Sequence, residues 1–178
     1  EDGIRDRSPS RGLGDVYKRQ LGEHVFEDDR RTMANHPFSN PAFAHASILI
    51  ANENFGSGSS REHAPQALKR WGIGACIGES FSEIFLGNAT TIGLACATAS
   101  ASDVELLMAV AEDMPGTTMV VSVDSMSISV GDRAITLNMS SAIRQSLLTG
   151  QWDATGLLLE RFDDVRTLAS DIPYVKGF

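Results

Sequence analysis

Short apolar runs alternate along the chain with segments of helical periodicity. Residues 46–51 form an apolar run with the length and composition of a buried strand. A glycine-rich turn at residues 54–65 follows it and leads into a helix, whose inward stripe is predicted to contain Ala67, Leu68 and Trp71. The order strand, glycine-rich turn, helix makes this turn the centre of the predicted fold.

The same alternation continues after this helix. Residues 75–78 and 94–98 are typical of two more short buried strands. We expect Ser80 to cap the helix between them, because Glu83 follows three residues later as in a capping box. A further helix is expected over residues 102–112. Alternating strands and helices favour parallel pairing of the strands.

The second half of the chain has a different pattern. Short β-runs lie at residues 118–123, 127–130 and 134–137. Gly131 and Asp132 between the last two runs predict a hairpin turn. Helices are expected after Ser140 and across residues 155–159 and 161–170, and in the first of them Ile143, Leu147 and Leu148 should face inward. The predicted fold is therefore α/β, with parallel strand–helix units followed by an antiparallel portion.

The first 20 residues do not fit this pattern. They mix Gly, Arg, Asp and Ser with few apolar residues, and they show no periodicity. Their ending, Asp-Val-Tyr-Lys-Arg-Gln, resembles the translation of a transposon sequencing adapter. We expect residues 1–20 to be adapter-derived or a disordered tail, and residues 21–178 to form one domain.

Charge and hydropathy exclude several classes of partner. The 178-residue chain carries a formal net charge of −8, which argues against a nucleic-acid footprint or a polybasic membrane surface. No apolar run approaches the roughly 20 residues that a membrane-spanning helix needs. We expect a cytoplasmic protein that binds neither nucleic acid nor membrane.

Only two cysteines are present, Cys76 and Cys96, and both lie in apolar runs. This placement favours reduced, buried thiols over a disulfide framework or a metal site. Two cysteines cannot by themselves hold an iron–sulfur cluster.

The glycine-rich turn contains the candidate chemistry. Gly56 and Gly58 allow the backbone to approach a ligand closely, and Ser59 or Ser60 is expected to cap the following helix. The first amide groups of that helix favour an anion, and the planar guanidinium of Arg61 suits a carboxylate or a phosphate. An anion-binding corner with two hydroxyl groups is the resulting hypothesis.

Two other interpretations of this turn are weaker. A nucleotide site lacks the Gly-Lys-Ser/Thr ending, and Arg61 stands where the third glycine of Gly-x-Gly-x-x-Gly would be. A serine hydrolase could use Ser59 and His63, which are four residues apart. However, the spacing is not Gly-x-Ser-x-Gly, and no aspartate is clearly placed to orient His63.

The motif Asn-Phe-Gly-Ser-Gly-Ser-Ser-Arg-Glu-His-Ala-Pro resembles the signature of the aconitase swivelling-domain family, in particular the small subunits of 3-isopropylmalate dehydratase. The resemblance extends to residues 21–26, 80–85, 87–88, 141–144 and 150–157. It implies a swivelling β/β/α fold. It also implies a dehydration and rehydration that moves a hydroxyl group between neighbouring carbons of a malate derivative, in leucine biosynthesis.

The resemblance also implies roles for single residues and for partners. Ser59 would be the catalytic base, while Ser60 and Arg61 would bind a substrate carboxylate. Residues expected to support the loop are Gly56, Gly58 and His63. In the family a large subunit carries a [4Fe-4S] cluster, so this chain is expected to bind no metal, to form a heterodimer with such a subunit and to be inactive alone.

Three departures from the family pattern limit what the resemblance implies. Many members have cysteine where Ser57 stands, and residues 88–95 match only in outline. The family's opening region, with an Asp-Thr-Asp-type motif and a substrate-selecting loop, has no counterpart here, and a first strand is expected to be missing with it. Two alternatives stay open: a small subunit acting on homoaconitate, methylmalate or dimethylmalate, and a non-catalytic anion-binding module.

Overall fold

A computed structural model describes residues 21–58 and 62–172 of the protein, except the side chain of Thr155. The helices in these ranges are α1 (Glu27–Thr32), α2 (His63–Trp71), α3 (Glu83–Thr91), α4 (Ala101–Asp113), α5 (Ser141–Thr149), α6 (Ala154–Glu160) and α7 (Phe162–Asp171). The strands are β1 (Ile48–Ala51), β2 (Ala75–Gly78), β3 (Ala95–Thr98), β4 (Met119–Ser122), β5 (Ser127–Val130) and β6 (Arg133–Thr136). The tail expected at residues 1–20 lies outside the described residues, and the domain boundary at residue 21 stays a prediction.

The three parallel strands form one sheet in the order β1-β2-β3, which confirms the predicted pairing. Side chains alternate between the two faces of a sheet. Cys76 and Cys96 therefore face one core, and Ile77 and Ala97 face the other. The apolar runs in β2 and β3 reflect strands that are covered on both faces.

Helices α2 and α3 cover the first face of this sheet. Leu68 from α2 and Phe85 and Ala89 from α3 join the two cysteines in that core. Phe85 and Ala89 are at most 1% exposed. This layer also supports the glycine-rich turn, because α2 begins at the last residues of the turn and Phe85 of α3 lies against Gly56.

The second face is covered by α4 and by the antiparallel sheet β4-β5-β6. Val104 and Leu107 of α4 are fully buried there, together with Ile128 of β5. Thr98 and Asn138 join the two sheets through a pair of backbone hydrogen bonds, each 2.8 Å long. The predicted antiparallel portion is thus confirmed, and it completes the second core.

Helix α5 begins where the sequence predicts. The hydroxyl of Ser140 accepts a hydrogen bond from the amide of Ile143, and Gly150 adopts a left-handed conformation after the last turn. Ile143 and Leu147 are half-buried, but Leu148 is 46% exposed, so its predicted inward position is wrong. Leu148 lies about 100° around the helix from Leu147, beyond the edge of the narrow covered stripe.

A contact between Gly93 and Trp152 attaches the C-terminal region to the body of the domain. Gly93 has φ +67°, and a Cβ atom there would lie 2.6 Å from the indole ring of Trp152. Glycine is therefore needed both for the backbone conformation and for the close approach of the ring. Beyond Trp152, helices α6 and α7 pack against each other. No helix within the described part of the chain is long and apolar enough to cross a membrane.

The thiols of Cys76 and Cys96 lie side by side in register on β2 and β3 and are 0% and 3% exposed. A hydrogen bond with Cys96, together with burial, raises the pKa of the Cys76 thiol well above its ordinary value. Both cysteines therefore behave as small core residues, as the sequence predicts.

We expect the native protein at about pH 8 to resist alkylation of Cys76 and Cys96 by iodoacetamide, and the urea-unfolded protein to react at both. The unfolded Cys76 thiol ionises near its ordinary pKa of about 8.5 while the folded thiol stays protonated, so stability should fall as the pH rises beyond that value. Mass spectrometry measures the labelling, and urea titrations at two pH values measure the free energy of unfolding. Native labelling at the unfolded rate would contradict this assignment.

Candidate active site

Residues 80–82 hold the glycine-rich turn through backbone pairing. Phe55 and Phe81 form an isolated parallel bridge. The amide of Phe55 donates to the carbonyl oxygen of Ser80 at 3.1 Å, and the amide of Ser82 donates to the carbonyl oxygen of Phe55 at 3.0 Å. The turn is therefore attached to the chain that leaves the carboxyl end of β2.

Two serine side chains strengthen this attachment. The hydroxyl of Ser80 accepts a hydrogen bond from the amide of Asn54 at 2.8 Å, and the hydroxyl of Ser82 donates to the carbonyl oxygen of Gly56 at 2.8 Å. The Ser82 hydroxyl also accepts from the amide of Phe85 at 3.3 Å and so caps α3. One hydroxyl group thus links the helix cap to the turn.

The expectation that Ser80 caps this helix is wrong. The N-cap is Ser82, and α3 begins at Glu83. The bridge to Phe55 keeps Phe81 out of the helix, so the helix cannot start two residues earlier. Ser80 instead binds the turn, which makes it part of the site's framework.

Gly56 occupies a position that only glycine fits. Its φ is +78°, and a Cβ atom there would lie 2.4 Å from Cγ of Phe85. Phe55 packs edge-to-face on Phe81 and Phe85 at centroid distances of 6.2 and 5.2 Å, so the ring of Phe85 has little freedom to move. Gly58 has φ +105°, and a Cβ atom at this position would have no neighbour within 4 Å among the described residues.

Helix α2 starts at His63, the residue expected to support the loop. The residue before it, Glu62, has helical backbone angles and makes no side-chain cap; Ser59 and Ser60, one of which is expected to cap this helix, lie outside the described residues. The carboxylate of Glu62 accepts a hydrogen bond from the side chain of Gln66, one turn further along. The carboxylate of Glu62 is thus paired with a side chain of the helix that follows it.

The residues with the predicted catalytic and binding roles, Ser59, Ser60 and Arg61, lie outside the described residues. Their roles stay predictions. The structure describes both flanks of this segment, which end at Gly58 and resume at Glu62.

A cleft of about 500 Å³ lies against both flanks. Its polar lining consists of His24, Ser57 and His63. The rest of the lining consists of Leu21, Val25, Phe26, Phe55, Gly56, Ala64, Ala67, Leu68 and Phe85. A small molecule with an apolar part and anionic or hydroxyl groups matches this division of the lining.

The sequence patterns did not assign His24 to the site. Its Nδ1 atom lies 2.6 Å from Oε2 of Glu27, and Oε1 of the same carboxylate accepts a hydrogen bond from Arg31 at 2.5 Å. The hydrogen bond with His24, aided by the charge of Arg31, lowers the pKa of Glu27 from its ordinary value. The spacing of three residues indicates that His24 and Glu27 can pair, because such residues meet on one side of a helical turn, but it does not indicate their place beside the cleft.

The donor atoms of this chain do not fit an iron–sulfur cluster. Its two cysteines are buried next to each other in the core. Across residues 21–58 and 62–172, no group of three or more His, Cys, Asp and Glu side chains could hold a metal ion.

Comparisons with known proteins agree with this architecture. Residues 15–101 match the model of the aconitase C-terminal domain. The chain is 43% identical to the 3-isopropylmalate dehydratase small subunit of Synechocystis sp. over 169 residues, covering 94% of this chain and 84% of that protein. It is 39% identical to the small subunit of Thermus thermophilus, covering 93% and 85%. The chain belongs to the 3-isopropylmalate dehydratase small-subunit family.

The family confirms the predicted aconitase-like fold class and makes the chain a hydro-lyase subunit. A crystal structure of 3-isopropylmalate dehydratase from Methanocaldococcus jannaschii superposes with a TM-score of 0.60 at 24% identity, covering 84% of this chain and 82% of that one. This likeness supports the fold alone. The family match spans the glycine-rich turn and both flanks of residues 59–61.

We expect Gly56→Ala to destabilise the protein by about 2–5 kcal/mol, because it combines backbone strain with overlap against Phe85. Gly58→Ala carries the backbone strain without the overlap and should cost about 1–2 kcal/mol. Gly116→Ala, at an open position without positive φ, should change stability by at most about 0.5 kcal/mol. Urea titrations measure all three; equal effects of the first two would show that contact with Phe85 is unimportant.

Proposed function

We propose that this chain is the small subunit of a 3-isopropylmalate dehydratase, which converts 2-isopropylmalate into 3-isopropylmalate by dehydration and rehydration in leucine biosynthesis. The observation that carries the proposal is the 43% identity to a protein of that name over 84% of its length. The cleft lined by Ser57 and His63 supports it, since an apolar lining with a few polar side chains suits a branched dicarboxylate.

The proposed chemistry assigns one task to each residue of the central segment. Dehydration of a malate derivative removes a proton from a carbon and expels hydroxide from its neighbour. Ser59 acts as the base in its alkoxide form, Ser60 donates a hydrogen bond to a substrate carboxylate, and Arg61 binds that carboxylate through its planar fork. The positive charge of Arg61 and the amide groups at the start of α2 favour the alkoxide in a site closed from water.

The proposal also requires a partner. The buried pair Cys76 and Cys96 provides no ligand set for a [4Fe-4S] cluster, so we assign that cofactor to a large subunit in a heterodimer. Exposed apolar side chains on α6 and α7 support such an association, because surfaces of this kind mark protein–protein interfaces. These side chains are Leu157, Leu158, Leu159, Phe162, Val165 and Leu168, each 39–66% exposed.

Related substrates form the second candidate. Homoaconitate, methylmalate and dimethylmalate stay as alternatives to 2-isopropylmalate. The small apolar residues Val25, Ala64 and Ala67 in the cleft favour a substrate with a branched alkyl group over one with a third carboxylate.

The direct test is to produce this chain together with its large subunit and to purify the complex without oxygen. We expect the complex to convert 2-isopropylmalate, and each subunit alone to be inactive, because each supplies only part of the site. Spectrophotometry of the unsaturated intermediate measures the rate with each candidate substrate. If kcat/KM is higher for homoaconitate or methylmalate than for 2-isopropylmalate, that compound becomes the assigned substrate. A complex that is inactive on all of them would overturn the proposal.

Within the active complex, Ser59→Ala and Arg61→Lys should have different effects. Ser59→Ala removes the base and should lower kcat by at least about 10²-fold with KM little changed. Arg61→Lys keeps the charge but loses the bidentate contact, and should lower kcat/KM about tenfold or more. Steady-state kinetics separate the two, with co-purification as the control for assembly. Full activity of the Ser59→Ala complex would exclude Ser59 as the base.

A further inference from the structure

A pocket of about 280 Å³ lies against β1, the edge strand of the parallel sheet, and no step of the proposed function uses it. Four aromatic side chains contribute to its lining, those of Phe26, Phe38, Phe43 and Trp71. Strand β1 and helix α4 form further walls. Of the described residues, only Phe26 also lines the cleft of the candidate active site. The pocket is therefore distinct from that cleft.

His36 is the buried polar residue in the lining of this pocket, with 8% of its surface exposed. The amide of Phe38 donates a hydrogen bond to Nδ1 of His36 at 3.2 Å, which caps the one-turn helix Pro37–Ser39. An amide can donate only to an unprotonated ring nitrogen, so the imidazole is neutral and its proton is on Nε2. The ring centroids of Phe26 and Phe38 lie 5.5 and 5.9 Å from that of His36, so both rings help to hold its orientation.

Nε2 of His36 is a donor that the fold leaves without a partner. Within residues 21–58 and 62–172, this side chain makes one hydrogen bond, through Nδ1. The Nε2 atom is not sealed in the interior, because Oε1 of Gln66 is the one fully buried and unpartnered side-chain atom in these ranges. Since His36 is otherwise buried and lines the pocket, Nε2 can meet a ligand there. Buried polar groups generally have a hydrogen-bond partner, so this donor calls for a ligand with an acceptor.

The charges around the pocket disfavour an anionic ligand. Among the described residues of its lining, only Glu112 is charged, and it is exposed. An anion would approach this carboxylate without finding a cation in the lining, and burying an unpaired charge is costly. A neutral molecule avoids this cost, and an aromatic ring can pack edge-to-face or offset against the aromatic walls. The volume is at the lower end of the range for ligand pockets, which limits the ligand to a small molecule.

We propose that this pocket binds a neutral, mainly apolar ring compound with one hydrogen-bond acceptor. The acceptor binds the Nε2–H group of His36, and the ring packs among Phe26, Phe38 and Trp71. This binding site does not depend on the proposed dehydratase chemistry, so the two can fail or succeed separately.

Acetophenone, ethylbenzene and benzoate test the site on the full chain. All three contain a benzene ring, and they differ in having a neutral acceptor, no acceptor or an anionic group. In calorimetric titrations acetophenone should bind, and ethylbenzene should bind about three- to tenfold more weakly because it lacks one hydrogen bond. Benzoate should also bind more weakly than acetophenone. No binding of acetophenone up to its solubility limit, or equal or tighter binding of either analogue, would overturn the inference.

His36→Asn separates the donor from the helix cap. Asn40 caps the next one-turn helix, Pro41–Phe43, by accepting a hydrogen bond from the amide of Ala42 through its side-chain oxygen. Asparagine at position 36 can keep the cap in the same way, but it is too short to place a donor where Nε2 lies. The variant should weaken acetophenone binding about three- to tenfold and leave ethylbenzene binding within about twofold. Thermal unfolding checks that the cap is kept. Equal effects on both ligands, or no effect on acetophenone, would overturn the role of His36.

The two tryptophans of the chain report where the ligand binds. Trp71 lines the pocket, whereas Trp152 packs on Gly93. Acetophenone should therefore shift the indole N–H signal of Trp71 in NMR spectra and leave that of Trp152 in place. Ala111→Leu adds bulk to the lining and should abolish the shift, while Ala109→Leu, at an exposed position of the same helix, should keep it. Equal shifts of both signals, or a shift that survives Ala111→Leu, would overturn the location.

Discussion

The pairing of Phe55 with Phe81 is the interaction on which the site depends. It joins the turn after β1 to the chain after β2, and the hydroxyl groups of Ser80 and Ser82 reinforce it on either side. Because the same Ser82 hydroxyl caps α3, the conformation of the turn and the start of that helix are coupled. Gly56 can then approach Phe85 closely, and the turn enters the segment 59–61 from a fixed direction. Sites that are built on rigid elements hold their groups more precisely than sites on free loops.

The two-sided sheet provides that rigidity. Cys76 and Cys96 face the core under α2 and α3, while Ile77 and Ala97 face the core formed with α4 and the second sheet. Small side chains on β2 and β3 let the helices approach closely, and Phe85, which is 1% exposed, is held where it lines the cleft. Movement of the turn would have to displace this ring, and a close-packed interior resists such a change.

Elements set by local patterns could be predicted from the sequence, and elements set by distant contacts could not. The strand at residues 75–78 follows from the apolar run that the sequence shows there. The cap of α3 was misplaced because the hydrogen bond that engages Ser80 comes from Asn54, 26 residues away. His24 was missed for the same reason, since only the folded chain brings it to the cleft beside His63. The motif at residues 54–65 identified the family through its residues, but no local pattern could reveal which other segments line the cleft.

The exposure of the cleft's polar groups explains why the proposed enzyme needs a second subunit for more than a cofactor. The side chains of His24 and Glu27 are 49% and 38% exposed, so water screens their interaction and any charge-assisted contact with a ligand is weak. A large subunit that covers the cleft would exclude this water and lower the local dielectric constant. The same hydrogen bonds would then become stronger without any change in their geometry. In this account the small subunit supplies oriented groups on a rigid base, and assembly supplies the environment in which those groups bind tightly and in which a serine can act as a base.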